Sequence, residues 1–178
     1  SRVSLIPNGV DTDVFRPLSR RNGLSSRYGL DGSFVVGYAG NMGVCQGLET
    51  LIAAAARLHD HPTIRFVLLG DGTEREALLA LAHRLGVSRL DYLGYLPFSQ
   101  MPEAYAACDL SLVAQSGRIG HDALPSKLYR ILAMERPVLA CGDPAGDLLT
   151  FVAAERVGLV TPAADVEAMA GALSWAAA

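Results

Sequence analysis

The chain has 178 residues, of which 51% are hydrophobic and 19% charged, with a formal net charge of −3 at pH 7. This length and apolar fraction predict one domain with a full core and exclude intrinsic disorder. The slightly acidic balance argues against a nucleic-acid partner, which usually requires a basic stripe. No apolar run is long enough to span a bilayer.

The beginning of the chain, SRVSLIPNGVD, has neither an initiator Met nor the apolar stretch of a signal peptide. We therefore expect the chain to start within a longer, cytoplasmic protein. The three cysteines, Cys45, Cys108 and Cys141, are widely spaced and odd in number. This pattern is typical of reduced thiols rather than of a disulfide framework or a zinc site, and we expect no metal.

Short apolar runs alternate with segments of helical periodicity along the whole chain. The apolar runs predict strands at 33–39, 64–69, 90–96, 109–113, 137–141 and 158–160. Helical spacing predicts helices at 47–59, 73–85, 97–107, 125–134, 147–155 and 165–178. Because the strands are continuous apolar runs, the fold class is α/β, with a Rossmann-like parallel sheet of about six strands between helices.

The first two long helices have predictable buried faces. The first should bury Leu48, Leu51, Ile52, Ala55 and Leu58, and the second Leu78, Leu81, Ala82 and Leu85. Thr73, with Glu76 three residues later, predicts a capping box at the start of the second helix.

Ligands of open parallel sheets bind at the carboxyl ends of the strands, which makes the loops after the strands informative. Gly40 and Gly43 bracket a turn that leads into a helix, and helix N-termini bind phosphate. An ordinary tight turn explains the same glycines equally well. The spacing fits neither GxxxxGK[ST] nor GxGxxG, which argues against ATPases and dinucleotide dehydrogenases.

The loop at 115–124 and the helix after it carry the most distinctive polar residues. Ser126 and Lys127 fall in the first helical turn, where the helix dipole disfavours a cation. A bound phosphate would explain Lys127, whereas a solvated surface lysine is the alternative. His121 and Asp122 precede them as a sugar-hydroxyl ligand or general base, or as a solvated pair.

Taken together, six segments resemble, in family order, the C-terminal donor-binding domain of GT-B glycosyltransferases of group 1, or family 4. They are IPNGVDTDVFRP (6–17), GYAGNMGVCQGLETLIAAAARL (37–58), FVLLGDGTEREAL (66–78), LDYLGYLPFSQMPEAYAACDLSLVA (90–114), LPSKLYRILAMERPVLA (124–140) and GLVTPAADVEAMAGAL (158–173). The resemblance implies one nucleotide-sugar-binding domain over residues 1–178. Residues 1–17 would be the interdomain crossover, and the N-terminal acceptor domain of the same protein would be missing.

The resemblance also implies roles for individual residues. Family members hold the donor diphosphate with an Arg and a Lys in the first loop, where this chain has Asn41 and Gln46. Their Glu-x7-Glu pair corresponds to Asp122, which keeps a carboxylate for the transferred sugar, and to Arg130, which is suited to the diphosphate instead. Lys127 becomes the principal phosphate cation, so the expected catalytic residues are Asp122 and Lys127. The expected binding residues are Gly40, Asn41, Gly43, Gly70, Gly94, Tyr95, Leu96, His121, Ser126 and Arg130, with the backbone of residues 94 and 96 against the nucleobase.

The implied reaction is a retaining hexosyl transfer from a UDP- or GDP-linked sugar, without a metal cofactor. The GNxG…QGLE form of the first loop resembles a subgroup that makes bacterial surface polysaccharides. A lipid-linked acceptor at the inner membrane face would suit that role. The present chain alone is expected to be inactive. The alternatives are a non-catalytic nucleotide-sugar-binding module, half of a nucleotide-sugar 2-epimerase, and a flavodoxin-like regulatory domain, which the lack of an acidic cluster disfavours.

Overall fold

A computed structural model describes Ser4, residues 8–116 and residues 124–178. The strands are β1 (Phe34–Ala39), β2 (Ile64–Leu69), β3 (Leu90–Gly94), β4 (Leu110–Ala114), β5 (Val138–Gly142) and β6 (Gly158–Pro162). The helices are α1 (Gly23–Arg27), α2 (Glu49–Arg57), α3 (Arg75–Arg84), α4 (Met101–Ala106), α5 (Ser126–Ala133), α6 (Asp147–Glu155) and α7 (Val166–Ala176). Short 3₁₀ turns at Val44–Gln46 and Phe98–Gln100 precede α2 and α4.

The strands form one parallel sheet in the order β3-β2-β1-β4-β5-β6. This confirms the predicted Rossmann-like α/β fold with six strands. The chain first winds outward from β1 to β3 and then returns to place β4 on the other side of β1. The order therefore reverses between β1 and β4, which is where open α/β sheets bind ligands.

Both faces of the four central strands are buried, as their continuous apolar sequences predicted, whereas the outer strands β3 and β6 are partly exposed. One apolar cluster includes Val35 and Leu128 with residues of α1, α4, α5 and α6, and the other includes Val36 and Tyr38 with residues of α2, α3 and α7. The face predicted for α2 is confirmed, because Leu48, Leu51, Ile52, Ala55 and Leu58 are all buried.

Local details of the other helices differ from expectation. The capping box at Thr73 is wrong: α3 begins at Arg75, and its cap, Glu74, makes no capping hydrogen bond through its side chain. Leu85 is 43% exposed because it follows the last turn of α3. The short helix α1 was not predicted; its signal is Asn22, whose side chain accepts hydrogen bonds from the amides of Leu24 and Ser25.

An ion pair holds the N-terminal segment against the sheet at the amino ends of its strands. The Arg20 guanidinium pairs with Asp109 at 2.8 Å and donates to the backbone carbonyls of Leu30 and Ser33. Asp109 also accepts the backbone N–H of Val35 at 2.7 Å. Within the described residues, no helix has both the length and the apolar character required to cross a membrane.

Candidate functional site

A cavity of about 470 Å³ opens at the carboxyl ends of β1, β2 and β3, beside the first turns of α5. It lies at the point where the strand order reverses. Most of the binding residues expected from the sequence line it together: Gly40, Asn41, Gly70, Tyr95, Leu96, Ser126, Lys127 and Arg130. Gly43 and Gly94 stand outside the lining, and His121 and Asp122 lie outside the described residues.

The floor of the cavity consists of two loops joined through their backbones. Gly40 donates its N–H to the carbonyl of Leu69 at 2.9 Å, and Met42 donates to Asp71 at 2.8 Å. Gly70 has a φ of +114°, and a Cβ there would overlap the carbonyl oxygen of Gly40. Only glycine at position 70 allows this approach, which fixes the first loop on the second.

The amide groups of the first loop are largely used within the protein. The N–H of Gly43 donates to Oε1 of Gln46 at 3.0 Å, in addition to the two bonds that fix Gly40 and Met42. Gln46 thus braces the loop at the position where the resemblance predicted a cation. Positive charge for an anion must then come from another element of the cavity wall.

Lys127 supplies such a charge from the first turn of α5. Its Nζ lies 3.9 Å from the centroid of the Tyr38 ring, and so close to Gly40 that a Cβ there would be 2.7 Å from Nζ. Burial lowers the pKa of Lys127 to about 7, because the ammonium loses most of its contact with water. Lys127 is thus partly buried against the Tyr38 ring rather than freely solvated, and a bound anion would favour its charged form.

Arg130 stands one turn further along α5 and lines the same cavity. Its guanidinium carbon lies 5.4 Å from the ring centroid of Phe15 and 5.7 Å from that of Phe98. The two rings contact each other edge to face at 5.5 Å, so they form a rigid apolar support. The sequence analysis assigned no role to these two rings or to Tyr38, because none of the three stands out from its local sequence.

The charge balance of the cavity is positive. Among the described residues, neither Lys127 nor Arg130 forms an ion pair. Asp71, the one acidic residue among the described residues of the lining, is paired with Arg75 at 3.1 Å. Lys127 in the first turn of α5 and Arg130 in its last turn, neither of them with a carboxylate partner among the described residues, make this cavity suited to an anion.

The outer rim of the cavity is aromatic. Tyr95 is 81% exposed, which is unusual for a large ring, whereas its neighbour Leu96 is buried. Gly94 serves the loop itself, because its φ is +67° and its carbonyl accepts the N–H of Gly70 at 2.8 Å. The rim thus offers one open ring face beside an apolar wall, which suits a flat heterocycle.

This geometry defines a class of protein, namely a Rossmann-like domain with a candidate anion site near the point where its strand order reverses. The sequence model of the family described as "Glycosyl transferases group 1" matches residues 33–178. The chain belongs to this family, as the resemblance of its motifs predicted. Membership decides against the flavodoxin-like regulatory alternative.

Named relatives agree with this assignment. The chain is 30% identical over 140 residues to "Probable glycosyltransferase WbjE" of Pseudomonas aeruginosa, covering 78% of this chain and 34% of WbjE. It is 35% identical over 104 residues to WcaI of Escherichia coli K12, a candidate colanic acid biosynthesis glycosyl transferase, covering 58% of this chain and 25% of WcaI. The chain thus spans about a third of WbjE and a quarter of WcaI.

Among solved structures, HepE of Anabaena in complex with UDP shares the fold. The TM-score is 0.77 at 24% identity, and the match covers 94% of this chain and 46% of HepE. At that identity the likeness establishes the GT-B type of domain fold, and the ligand is a property of HepE.

Proposed function

We propose that this chain is the donor-binding domain of a retaining glycosyltransferase that transfers a hexosyl group from a nucleoside-diphosphate sugar. One observation carries the proposal: Lys127 and Arg130 face one cavity at the switch point without a carboxylate partner among the described residues. A diphosphate supplies the two negative charges that this pair lacks. The complex of HepE with UDP supports the choice of a nucleotide ligand.

The chemical task of the cavity would be to stabilise a departing diphosphate. As the bond between the anomeric carbon and the phosphate oxygen breaks, negative charge grows on the phosphate and positive charge on the sugar ring. The ammonium of Lys127 and the first turn of α5 would stabilise that phosphate electrostatically, and the proposal includes no metal. Asp122 and His121 remain our candidates for contacts with the transferred sugar.

The nucleobase would bind at the rim, against the ring of Tyr95 and the backbone of Leu96. A ring that is 81% exposed in the free chain loses contact with water when a base stacks on it. Backbone groups at Leu96 would then read the edge of the base. UDP- and GDP-linked sugars are both candidates, because stacking on a ring face tolerates every base.

The biological setting proposed is bacterial surface polysaccharide synthesis, in the cytoplasm and against the inner membrane face. The loop pattern GNxG…QGLE and the similarity to WcaI support it. The acceptor, including any lipid-linked one, would bind to an N-terminal domain of the same protein. We therefore expect the 178-residue chain to bind nucleotide and to transfer no sugar; transfer by this chain alone would contradict that part of the proposal.

A thermal-shift panel of UDP, GDP and ADP tests the nucleotide site. The unfolding temperature of the wild-type chain should rise with at least one nucleotide, and the rise should shrink strongly in Lys127→Ala. Arg84→Ala is the matched control, since it removes an exposed cation of α3 outside the cavity and should keep the full shift. If no nucleotide stabilises the wild type, or if both variants lose the shift equally, the proposed site is wrong.

A further inference from the structure

Tyr38 contacts both walls of the candidate site without being part of its surface. The side chain is fully buried at the end of β1, and its hydroxyl donates to the carbonyl oxygen of Asn41 at 2.5 Å. Its ring lies beneath the Lys127 ammonium, 3.9 Å from centroid to Nζ. One residue therefore touches the loop that forms the floor and the cation that stands above it.

The Tyr38 ring lies beside the Lys127 ammonium, where a carboxylate counter-ion would be expected. Tyr38 belongs to the apolar cluster on the α2 side of the sheet, whereas α5 packs on the other side. Burial raises the pKa of Tyr38, so the phenol stays neutral at physiological pH. The negative face of a neutral ring attracts an ammonium, and the attraction strengthens as water is excluded.

The other groups around Lys127 do not provide this attraction. Arg130 on α5 is a second cation, and Tyr105 on α4 is a buried phenol. Asp71, in the loop after β2, is already paired with Arg75. Among the described residues, the Tyr38 ring is thus the group that favours the charged form of Lys127.

A ring differs from a carboxylate in one functional respect. A carboxylate would form an ion pair with the ammonium and compete with an incoming phosphate. A ring attracts the ammonium through its face and forms no strong hydrogen bond, so the N–H donors stay available on the side of the cavity.

We propose that Tyr38 is a positioning residue of the donor site. Its ring holds the Lys127 ammonium next to Gly40, and its hydroxyl fixes the loop after β1 by donating to the carbonyl of Asn41. The proposal rests on the function proposed above, because the ligand that Lys127 awaits is the donor diphosphate. Tyr38 itself would make no contact with the donor.

The test exploits the fact that Lys127 is the only lysine among the 15 Lys and Arg residues. With ε-¹³C-labelled lysine, the chain gives one signal, whose titration reports the pKa of Lys127 directly. Tyr38→Phe and 3,4,5-trifluorophenylalanine at position 38 preserve the shape of the ring, whereas the fluorines withdraw charge from its face. Both variants avoid the cavity that a smaller residue would leave.

We expect the Lys127 pKa to fall in the fluorinated protein relative to Tyr38→Phe, and UDP-glucose or GDP-mannose to bind about fivefold more weakly at pH 7. The fluorine effect on affinity should vanish when Lys127→Met is added, as coupling through the ammonium requires. Tyr38→Phe alone should weaken binding a few-fold through release of Asn41, while the Lys127 pKa stays near its wild-type value.

Two results would overturn the role of Tyr38. One is a Lys127 titration identical in the Phe and trifluorophenylalanine proteins; the other is a fluorine effect on affinity that persists in the Lys127→Met background. Either result leaves the proposed function intact if the wild type binds nucleotide sugar. Failure of the wild type to bind either sugar nucleotide would instead refute the proposed function and the donor-positioning role with it.

Discussion

Affinity for a nucleotide sugar should fall as the pH rises above neutrality, because Lys127 must be charged to bind a diphosphate. Burial lowers the pKa of Lys127 to about 7 in the free chain. A bound diphosphate favours the ammonium and raises that pKa. Binding therefore takes up a proton above neutral pH, and affinity decreases with the fraction of chains that hold a neutral amine.

The magnitude follows from that fraction. With a free pKa of about 7, the charged fraction drops by about 30-fold between about pH 6 and pH 8.5, so the dissociation constant should rise by about the same factor. This factor corresponds to about 2 kcal/mol of binding free energy. The increase should level off at the pKa of the complex.

Isothermal titration calorimetry with UDP-glucose and GDP-mannose measures this profile directly. Nucleotide sugars are preferable to UDP or GDP as ligands, because the terminal phosphate of a nucleoside diphosphate itself titrates with a pKa of about 6. Repeating the titration in buffers of different ionisation enthalpy gives the number of protons taken up on binding. Lys127→Arg is the matched control, since a guanidinium stays charged over the whole range.

A flat profile in the wild type would refute the reasoning, and so would an equal slope in wild type and Lys127→Arg. The first result would mean that Lys127 either keeps its charge in the free chain or does not meet the phosphate. The second would assign the slope to another titrating group.

Four further substitutions, one of them with a matched control, test other parts of the structure. Gly40→Ala places a Cβ 2.7 Å from the Lys127 Nζ at a φ of +146°. This variant should bind nucleotide sugar at least about tenfold more weakly, as measured by calorimetry. Its control is Gly171→Ala, whose Cβ meets open space; this protein should bind normally and unfold at a higher temperature. Tyr95→Ala should reduce affinity by about 1–2 kcal/mol through lost stacking, and unchanged affinity would move the base away from the rim. Lys127→Met should stabilise the nucleotide-free chain by about 1–2 kcal/mol in urea unfolding at about pH 6, because it removes a largely desolvated charge that has no ion-pair partner among the described residues. A less stable variant would show that the charge is well compensated. Asp109→Asn should cost about 2–3 kcal/mol of unfolding free energy by leaving Arg20 unpaired, with no change in nucleotide affinity, since it lies at the opposite edge of the sheet.

The fold was largely predictable because its signals are local and repeated. Six apolar runs separated by helical periods leave few arrangements other than a parallel sheet, whereas the strand order is known only from the structure. The capping box at Thr73 failed because the backbone between Gly72 and Arg75 follows the Met42 loop: the N–H of Glu74 donates to the carbonyl of Met42 at 2.9 Å. A contact with a distant loop is invisible to a local capping pattern.

The candidate site was predictable where one residue type sat against its local preference. Lys127 at a helix N-terminus conflicts with the dipole; this conflict drew attention to it, and the structure places it in the cavity wall. Tyr38 carried no such mark, since a Tyr in an apolar strand looks like ordinary core. Its proximity to Lys127 depends on the return of the chain from β3 to β4, which joins segments almost 90 residues apart.

The joined loops at the floor of the cavity determine when the site loses its conformational freedom. The contact of Gly70 with Gly40 forms with the sheet itself, so the entropy of ordering this wall is lost during folding rather than when a ligand arrives. Within the described residues, an incoming nucleotide sugar would then order mainly side chains, such as that of Arg130 beside the diphosphate and that of Tyr95 beside the base. The floor of the site is thereby preorganised, whereas the side chains of α5 and the rim can adjust. Differences between donors would be accommodated by those side chains, while the floor keeps its conformation.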